Sequence, residues 1–286
     1  MTRRDRFAPR TIDHGLSKFA AKVGCFPNGG WPLKFSVCTT NYNCAHALAA
    51  HLRSVYDNLH GLEFEYVVVD NKSRDGSWTI LTSWAANHRN ATLISKRSTI
   101  GEGREIAFAR SSGSHIVVLD TDVVYSSLLR RFVDAYFQTC PGLSVQAIYC
   151  GIFPRQTWVE AGGRRSLNTN EDVDLWLRVD RIGTMRWYPV SVGENRKEPS
   201  AWGQADYLSK RYNKTERLLR LLRREWDFLK TGPVQRTDLR SLAAVKTIDM
   251  GLAEPAIAWP QNRPQYNHVQ HTIAFIREFK QAVQAP

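Results

Sequence analysis

The 286-residue chain has no run of about 18 apolar residues, so no segment of it reads as a membrane span. Its N-terminal stretch, MTRRDRFAPR, is basic but leads into no apolar core of a signal peptide. Five cysteines, Cys25, Cys38, Cys44, Cys140 and Cys150, are odd in number and show no CxxC spacing, which argues against a zinc site and for a reducing compartment. There is no internal repeat and no low-complexity tract. The expectation is a cytoplasmic protein, at most peripheral to the inner face of a membrane.

What is present suits a large folded unit. The 43% hydrophobic content is enough for one large domain, or for two halves sharing a sheet. The net charge of +12 creates a field that attracts nucleic acid, anionic lipid or phosphorylated small molecules, and composition does not choose among them.

Strand and helix patterns alternate along the first half. LKFSVCTT (33–40) reads as a buried strand, and Leu48, Leu52, Val55 and Leu59 follow at helical spacing. FEYVVVD (64–70) is a second strand and SWTILTSWAANH (77–88) a helix capped by Ser77; ATLISK (91–96) is a third strand and EGREIAFARSSG (102–113) a helix. The fourth strand lies in GSHIVVLDTDVVYSS (113–127). This alternation predicts a mostly parallel sheet with helices on both faces, in which ligands bind beyond the carboxyl ends of the strands.

The polar residues gather at those ends. Strand one ends on Thr39, Thr40, Asn41 and Tyr42, strand two on Asp70 and Asn71, strand four on Asp120 and Asp122. In an extended chain residues two apart point to one side, so Asp120 and Asp122 are expected to face one small volume and repel each other there. Each acid taken alone reads equally well as a turn former or a helix cap. Three coincident strand ends favour a site, and paired carboxylates suit a hard divalent cation, Mg²⁺ or Mn²⁺, that keeps positions open for phosphate oxygens.

The segments SVCTTNYN, VVVDNKSRDGS, GEGRE, LDTD and NEDVDLWLR stand in an order and approximate spacing that resembles the family-2 glycosyltransferases, over roughly residues 33–180. The resemblance implies the GT-A type of α/β fold, with a mostly parallel central sheet, followed here by a helical C-terminal region. It implies that Thr39, Asn41 and Tyr42 line a pocket for the base and ribose of a nucleotide sugar, with Asp70 on the base and Asn71 beside it. Arg104, sixteen residues before Asp120, falls where the family has an arginine near the diphosphate; the asparagine that would follow is Glu105 here. Asp120 and Asp122 match the DxD, the second acid holding the metal and the first sharing it or touching sugar. Asp172 matches the catalytic base of inverting enzymes, with Glu171 orienting it or the acceptor.

Chemistry supports those roles independently. A diphosphate leaving group is stabilised by a divalent Lewis acid, and a carboxylate that takes the acceptor proton is worth about 10²- to 10⁴-fold in rate. One base without a covalent nucleophile gives inversion. Val173, Trp176 and Leu177 recur at helical spacing, with Asn170 as candidate cap, so Glu171 and Asp172 enter the first turn, where they could also merely complement the helix dipole. Asp174 and Arg178 read as a structural ion pair. A third metal ligand is not evident; Glu194, His268 and His271 are the candidates.

Farther on, KTERLLRLLRREWDFLK (214–230) is amphipathic, with Leu218, Leu219, Leu222, Trp226 and Leu229 on one side and Arg217, Arg220, Arg223 and Arg224 on another. Either it packs its leucines on the domain, or it rests on anionic lipid and brings in a lipid-linked acceptor; Trp226 is buried in the first case and exposed in the second. Residues 253–270 read as an irregular wrap and 271–283 as a last helix.

The expected organisation is an N-terminal extension (1–32), a nucleotide-sugar-binding half (33–122), an acceptor half (123–200) and a basic helical region (201–286). The expected activity is metal-dependent, inverting transfer of a sugar from a UDP- or GDP-sugar to a glycan or lipid-linked hydroxyl. Two other classes are weighed against it. A sugar nucleotidyltransferase would carry a glycine-rich basic loop after strand one, which TTNYNCAH lacks. A non-catalytic nucleotide- or nucleic-acid-binding protein would not need Asp120, Asp122 and Asp172 together, and its aromatics would interleave with basic residues on one surface. Nucleic acid ranks low, because the best basic cluster lies on a leucine-rich helix.

Overall fold

A computed structural model describes residues 34–168 and 171–196, then 213–216, 218, 219, 222, 223, 226, 248 and 250–252. The elements are β1 (Phe35–Asn41), α1 (Ala45–Leu59), β2 (Phe64–Asp70), α2 (Ser77–Ala85), β3 (Ala91–Ser95), α3 (Ile100–Arg110), β4 (His115–Leu119), β5 (Val123–Tyr125) and α4 (Leu128–Thr139). They continue as β6 (Ser144–Ile148), β7 (Cys150–Pro154), α5 (Arg155–Glu160), α6 (Glu171–Arg181), β8 (Met185–Ser191) and β9 (Gly193–Asn195).

Seven strands form one sheet in the order β3-β2-β1-β4-β7-β6-β8, and β5 pairs with β9 in a second, two-stranded one. The neighbours β1–β2, β1–β4, β2–β3 and β6–β8 are parallel, while β7 runs antiparallel to both β4 and β6. The sheet is therefore mostly parallel, as the alternating pattern predicts.

The continuous apolar runs follow from burial on both faces, since successive strand residues point to opposite sides. On one face Val37, Tyr66, Val68, Val117 and Leu119 pack under Leu48, Leu52 and Val55 of α1 and Phe132 and Tyr136 of α4. On the other, Cys38, Val67, Val69, Ile116 and Val118 meet Ala107 of α3, Trp158 of α5 and Leu175 and Val179 of α6. Burial of each large side chain stabilises the fold by about 1.5–3 kcal/mol.

The topology also fixes where a ligand can sit. The chain steps outward from β1 to β2 to β3, then returns to place β4 on the opposite side of β1. Strand order reverses between β1 and β4, and such a reversal opens a crevice at their carboxyl ends. The end of α3 is drawn into this crevice. Thr99 caps it by accepting the Glu102 amide (3.1 Å), and a Cβ on Gly103 would lie 2.5 Å from the Thr40 methyl, so only glycine lets the helix approach β1 this closely.

Two local expectations change. α2 ends at Ala85, and its cap is Gly76, in the left-handed region at φ 89°; the Ser77 hydroxyl instead accepts the Cys44 amide (3.0 Å) and donates to Asp75 (2.6 Å). The predicted cap Asn170, the histidines His268 and His271 and the segments 253–270 and 271–283 lie outside the described residues. No described helix is long and apolar enough to cross a membrane.

Candidate active site

A cavity of about 830 Å³ lies at the β1–β4 switch point, within the span of about 300–1,000 Å³ usual for ligand sites. Asn41, Tyr42, Asn71, Arg104, Asp120 and Asp122 all line it, as do Glu171 and Asp172. Thus eight of the predicted site residues meet in one space, brought there by five separate elements and their loops.

Two predicted residues stand behind the wall instead. Thr39 is fully buried and donates its hydroxyl to the Leu119 carbonyl (2.6 Å), so it ties β1 to β4, and Thr40 lines the cavity in its place. Asp70, 1% exposed, accepts from the Asn41 amide (2.8 Å), the Ser73 hydroxyl (2.6 Å) and the Ser73 backbone (2.9 Å). Its carboxylate therefore fixes the side chain of Asn41 and the turn after β2, while Asn41 and Asn71 face inward. The Asn71 side chain in turn accepts the Ser98 amide (2.9 Å), linking the ends of β2 and β3.

The paired acids come together by a different route from the one expected. β4 stops at Leu119, and Asp120 to Asp122 form a turn in which the Val123 amide donates to the Asp120 carbonyl (3.2 Å). Extended-strand alternation does not operate there, yet both acids line the cavity. The Asp120 amide donates to the Tyr125 hydroxyl (3.0 Å), which itself donates to the carbonyl of Tyr149 (2.9 Å). Tyr149 is held in the left-handed region at φ 68°, a conformation that costs a bulky residue about 1–3 kcal/mol, and it too lines the cavity. Burial raises its phenol pKa, with Asp122 and Asp120 adding to the effect.

Opposite stands a cluster of charged groups. Arg104, its side chain only 6% exposed, donates to Asp120 (2.6 Å), Glu171 (2.7 Å) and Asp172 Oδ1 (2.5 Å). Burial alone would lower its pKa, but Asp172, Asp120 and Glu171 outweigh that and keep it protonated. A second arginine, Arg164, lies in the turn before α6 and reaches Asp172 Oδ1 at 2.5 Å. Burial by itself would raise the Asp172 carboxyl; the two guanidiniums prevail and hold it below the ordinary carboxylate range. Burial dominates at Glu171 and pushes its carboxyl up.

Sequence reasoning missed Arg164 and Tyr149. Arg164 stands in the run AGGRR (161–165) shortly before NEDVDLWLR, but nothing in that run says which arginine turns inward. Glu105, at the place of the family asparagine, faces away from the cavity, where it accepts the Trp158 indole N–H (3.0 Å) and the Arg164 amide (2.7 Å). The predicted Asp174–Arg178 pair is present at 2.7 Å. Glu194 is exposed on β9 and does not line the cavity, whereas its neighbour Asn195 does. From the C-terminal region Glu216 accepts the Tyr42 hydroxyl (2.7 Å), and Leu219 and Arg223 reach the cavity rim.

The model of glycosyl transferase family 2 matches residues 36–195, more than half of the chain. The protein belongs to that family. It is a glycosyltransferase, and the matched segment contains every candidate residue on both walls of the cavity. Two solved structures share its fold: the mannosyltransferase PcManGT from Pyrobaculum calidifontis, in complex with GDP-Man and Mn²⁺, and residues 1–349 of TarS from S. aureus, in complex with UDP-GlcNAc. The first is 16% identical with a TM-score of 0.54 and covers 94% of each chain. The second is 14% identical with a TM-score of 0.53 and covers 88% of this chain and 82% of its own. At these identities the likeness establishes the GT-A architecture. Among curated proteins none matches this chain.

Proposed function

We propose that this glycosyltransferase transfers a sugar, with inversion, from a UDP- or GDP-sugar to an acceptor hydroxyl, with the donor on the β1–β2–β4 wall and Asp172 as the base on the α6 wall. The observation that carries the reading is that Asp120, Asp122 and Asp172 line one cavity at the switch point, with Arg104 joining Asp120 to Asp172.

The residues fit a hard divalent cation. Asp120 and Asp122 both line the cavity and offer oxygen donors only. No group of three acidic, histidine or cysteine ligands occurs among the described residues, so Asp122 and Asp120 would hold Mn²⁺ or Mg²⁺ with the remaining positions open to diphosphate and water. Bound there, the ion would act as a Lewis acid on the leaving diphosphate.

The chain's own groups account for the other needs. Asn41, Tyr42 and Asn71 bind and orient the nucleotide, with Thr39 and Asp70 fixing the backbone and side chains that do so. Arg104 adds positive charge where the diphosphate lies. Asp172, ionised at neutral pH, takes the acceptor proton as the acceptor oxygen bonds to the anomeric carbon and the bond to the diphosphate breaks, its electron pair leaving with the nucleotide. We divide the unit accordingly into a donor half (33–122) and an acceptor half (123–200).

The acceptor is a glycan or a lipid-linked molecule. Leu222 and Trp226 are 48% and 58% exposed on the helical segment whose Leu219 meets the cavity rim, which favours the account in which this segment touches lipid. The test of the reading is calorimetric binding of UDP-glucose, UDP-N-acetylglucosamine and GDP-mannose with Mn²⁺ or Mg²⁺. One donor binds only with metal, and Asp122→Ala weakens it by about 100-fold or more. Equal binding without metal, or no binding of any donor, would refute it.

A further inference from the structure

Arg164 is a buried cation that does not line the cavity. Its side chain is 1% exposed, its Nε has no hydrogen-bond partner, and its guanidinium lies 5.4 Å from the centre of the Trp158 ring. A cation so placed is costly unless its pairing is well made, and it spends that pairing on Asp172. The geometry there is one-sided. Arg164 and Arg104 both donate to Oδ1, each at 2.5 Å, and no described residue bonds Oδ2 of a side chain that remains 38% exposed to the cavity.

A single contact would leave the carboxylate free to turn, because the terminal torsion of aspartate is broad and roughly two-fold. Two guanidiniums meeting one oxygen from different elements, α3 and the turn before α6, fix its plane. The turn itself is held from α3. Glu105 accepts both the Arg164 amide and the Trp158 indole N–H on one oxygen, at 2.7 and 3.0 Å. Gly163 sits over it at φ 65°, where a Cβ would lie 2.7 Å from both carboxylate oxygens. Consecutive residues of α3 thus act on the same aspartate, Arg104 directly and Glu105 through the turn.

We propose that Arg164 and Glu105 are positioning residues for the transfer step: with Arg104, Arg164 pins Asp172 by Oδ1 and turns Oδ2 to the acceptor hydroxyl, and Glu105 fixes the turn that delivers Arg164. This rests on Asp172 being the base. The role predicts a loss in kcat without a loss in donor affinity, which a wall of the donor site would not give.

The test uses the full chain with Mn²⁺ and whichever of UDP-glucose, UDP-N-acetylglucosamine or GDP-mannose binds, reading nucleotide release and donor affinity together. Arg164→Met lowers kcat by about 10- to 100-fold with donor KM within about twofold, the scale of a misplaced catalytic group. Glu105→Ala acts in the same direction. Glu105→Gln, which keeps one oxygen for both N–H groups, and Arg164→Lys, which keeps the charge, each recover part of the rate. In an Asp172→Asn background Arg164→Met has no further effect on kcat. An unchanged kcat in folded Arg164→Met, or a donor KM that rises as kcat falls, overturns the inference. Should Arg164→Met not fold, Glu105→Ala and Glu105→Gln decide it: equal rates in both exclude the role. If Asp172→Asn itself turns over normally, the base assignment has failed; if it is inactive while Arg164→Met is not, only the present inference has.

Discussion

The two walls of the cavity hold their acids by different means, with Arg104 joining them through Asp120. On the donor wall the acid behind Asn41 is surrounded by neutral groups: Asp70 accepts from an amide and a hydroxyl, and the Asp120 backbone is anchored by a tyrosine. On the base wall Glu171 and Asp172 are met by two guanidiniums. Neutral hydrogen bonds fix the shape around Asp70 without cancelling its charge, while Asp120 shares the Arg104 guanidinium with the base wall. The ion pairs hold Asp172 below the ordinary carboxylate range, which suits a group that must accept a proton, whereas burial prevails at Glu171. The same residue type thus stands in two electrostatic environments because its partners differ in charge.

The comparison is broken most severely on the base wall. Asp172→Asn keeps the shape and removes the proton acceptor, so turnover falls by about 10²- to 10⁴-fold while donor affinity measured by calorimetry is retained. Arg104→Met leaves Glu171 and Asp172 without half of their positive charge; breaking such a buried network costs about 3–5 kcal/mol, visible in denaturant melts of the variant.

Acid sharpens the contrast from the other side. His51, below the donor wall, is fully buried, with Nδ1 donating to the Val123 carbonyl (2.9 Å) and Nε2 accepting from the Tyr66 hydroxyl (2.6 Å), and it faces Tyr125 and the charge of Asp122. Burial lowers its pKa from 6.5 to about 4. The unfolded chain therefore binds this proton first as pH falls. Stability from this group is complete above pH 6.5 and declines by about 3 kcal/mol as pH falls to 4, a slope that His51→Gln removes from urea titrations across that range. The smallest effect belongs to Asn41→Ala, which withdraws a donor at 2.8 Å from Asp70 and costs about 1.5–3 kcal/mol in thermal unfolding.

The donor wall was more legible than the base wall, for physical reasons. Parallel strands buried on both faces give unbroken apolar runs, and each run ends where polar residues begin; that is how Asn41, Asn71, Asp120 and Asp122 were found. The phase at the strand end was not legible. Thr39 and Asp70 turn into the framework while Thr40 and Asn71 turn inward, and the sheet gives way to a turn before Asp122. The strands β6 to β9 left no comparable pattern, since β6 and β7 are joined through Tyr149 at φ 68°, with none of the glycine or asparagine that marks such a turn. Arg164 was hidden because its turn is fixed by a contact distant in the chain, its backbone amide donating to Glu105, 59 residues away. In the segment from Lys214 onward the sequence left open whether Trp226 is buried or exposed, and it is 58% exposed.

In the proposed reaction Asp172 is the single proton acceptor, across the cavity from the donor, and no covalent nucleophile takes part. The most direct test is the configuration of the product. With the bound nucleotide sugar, Mn²⁺ and water as acceptor, the first sugar released is followed by time-resolved ¹H NMR before mutarotation. The account predicts the anomer opposite to that of the donor, and no release in Asp172→Asn. Release of the same anomer as the donor, or undiminished release from Asp172→Asn, would contradict it.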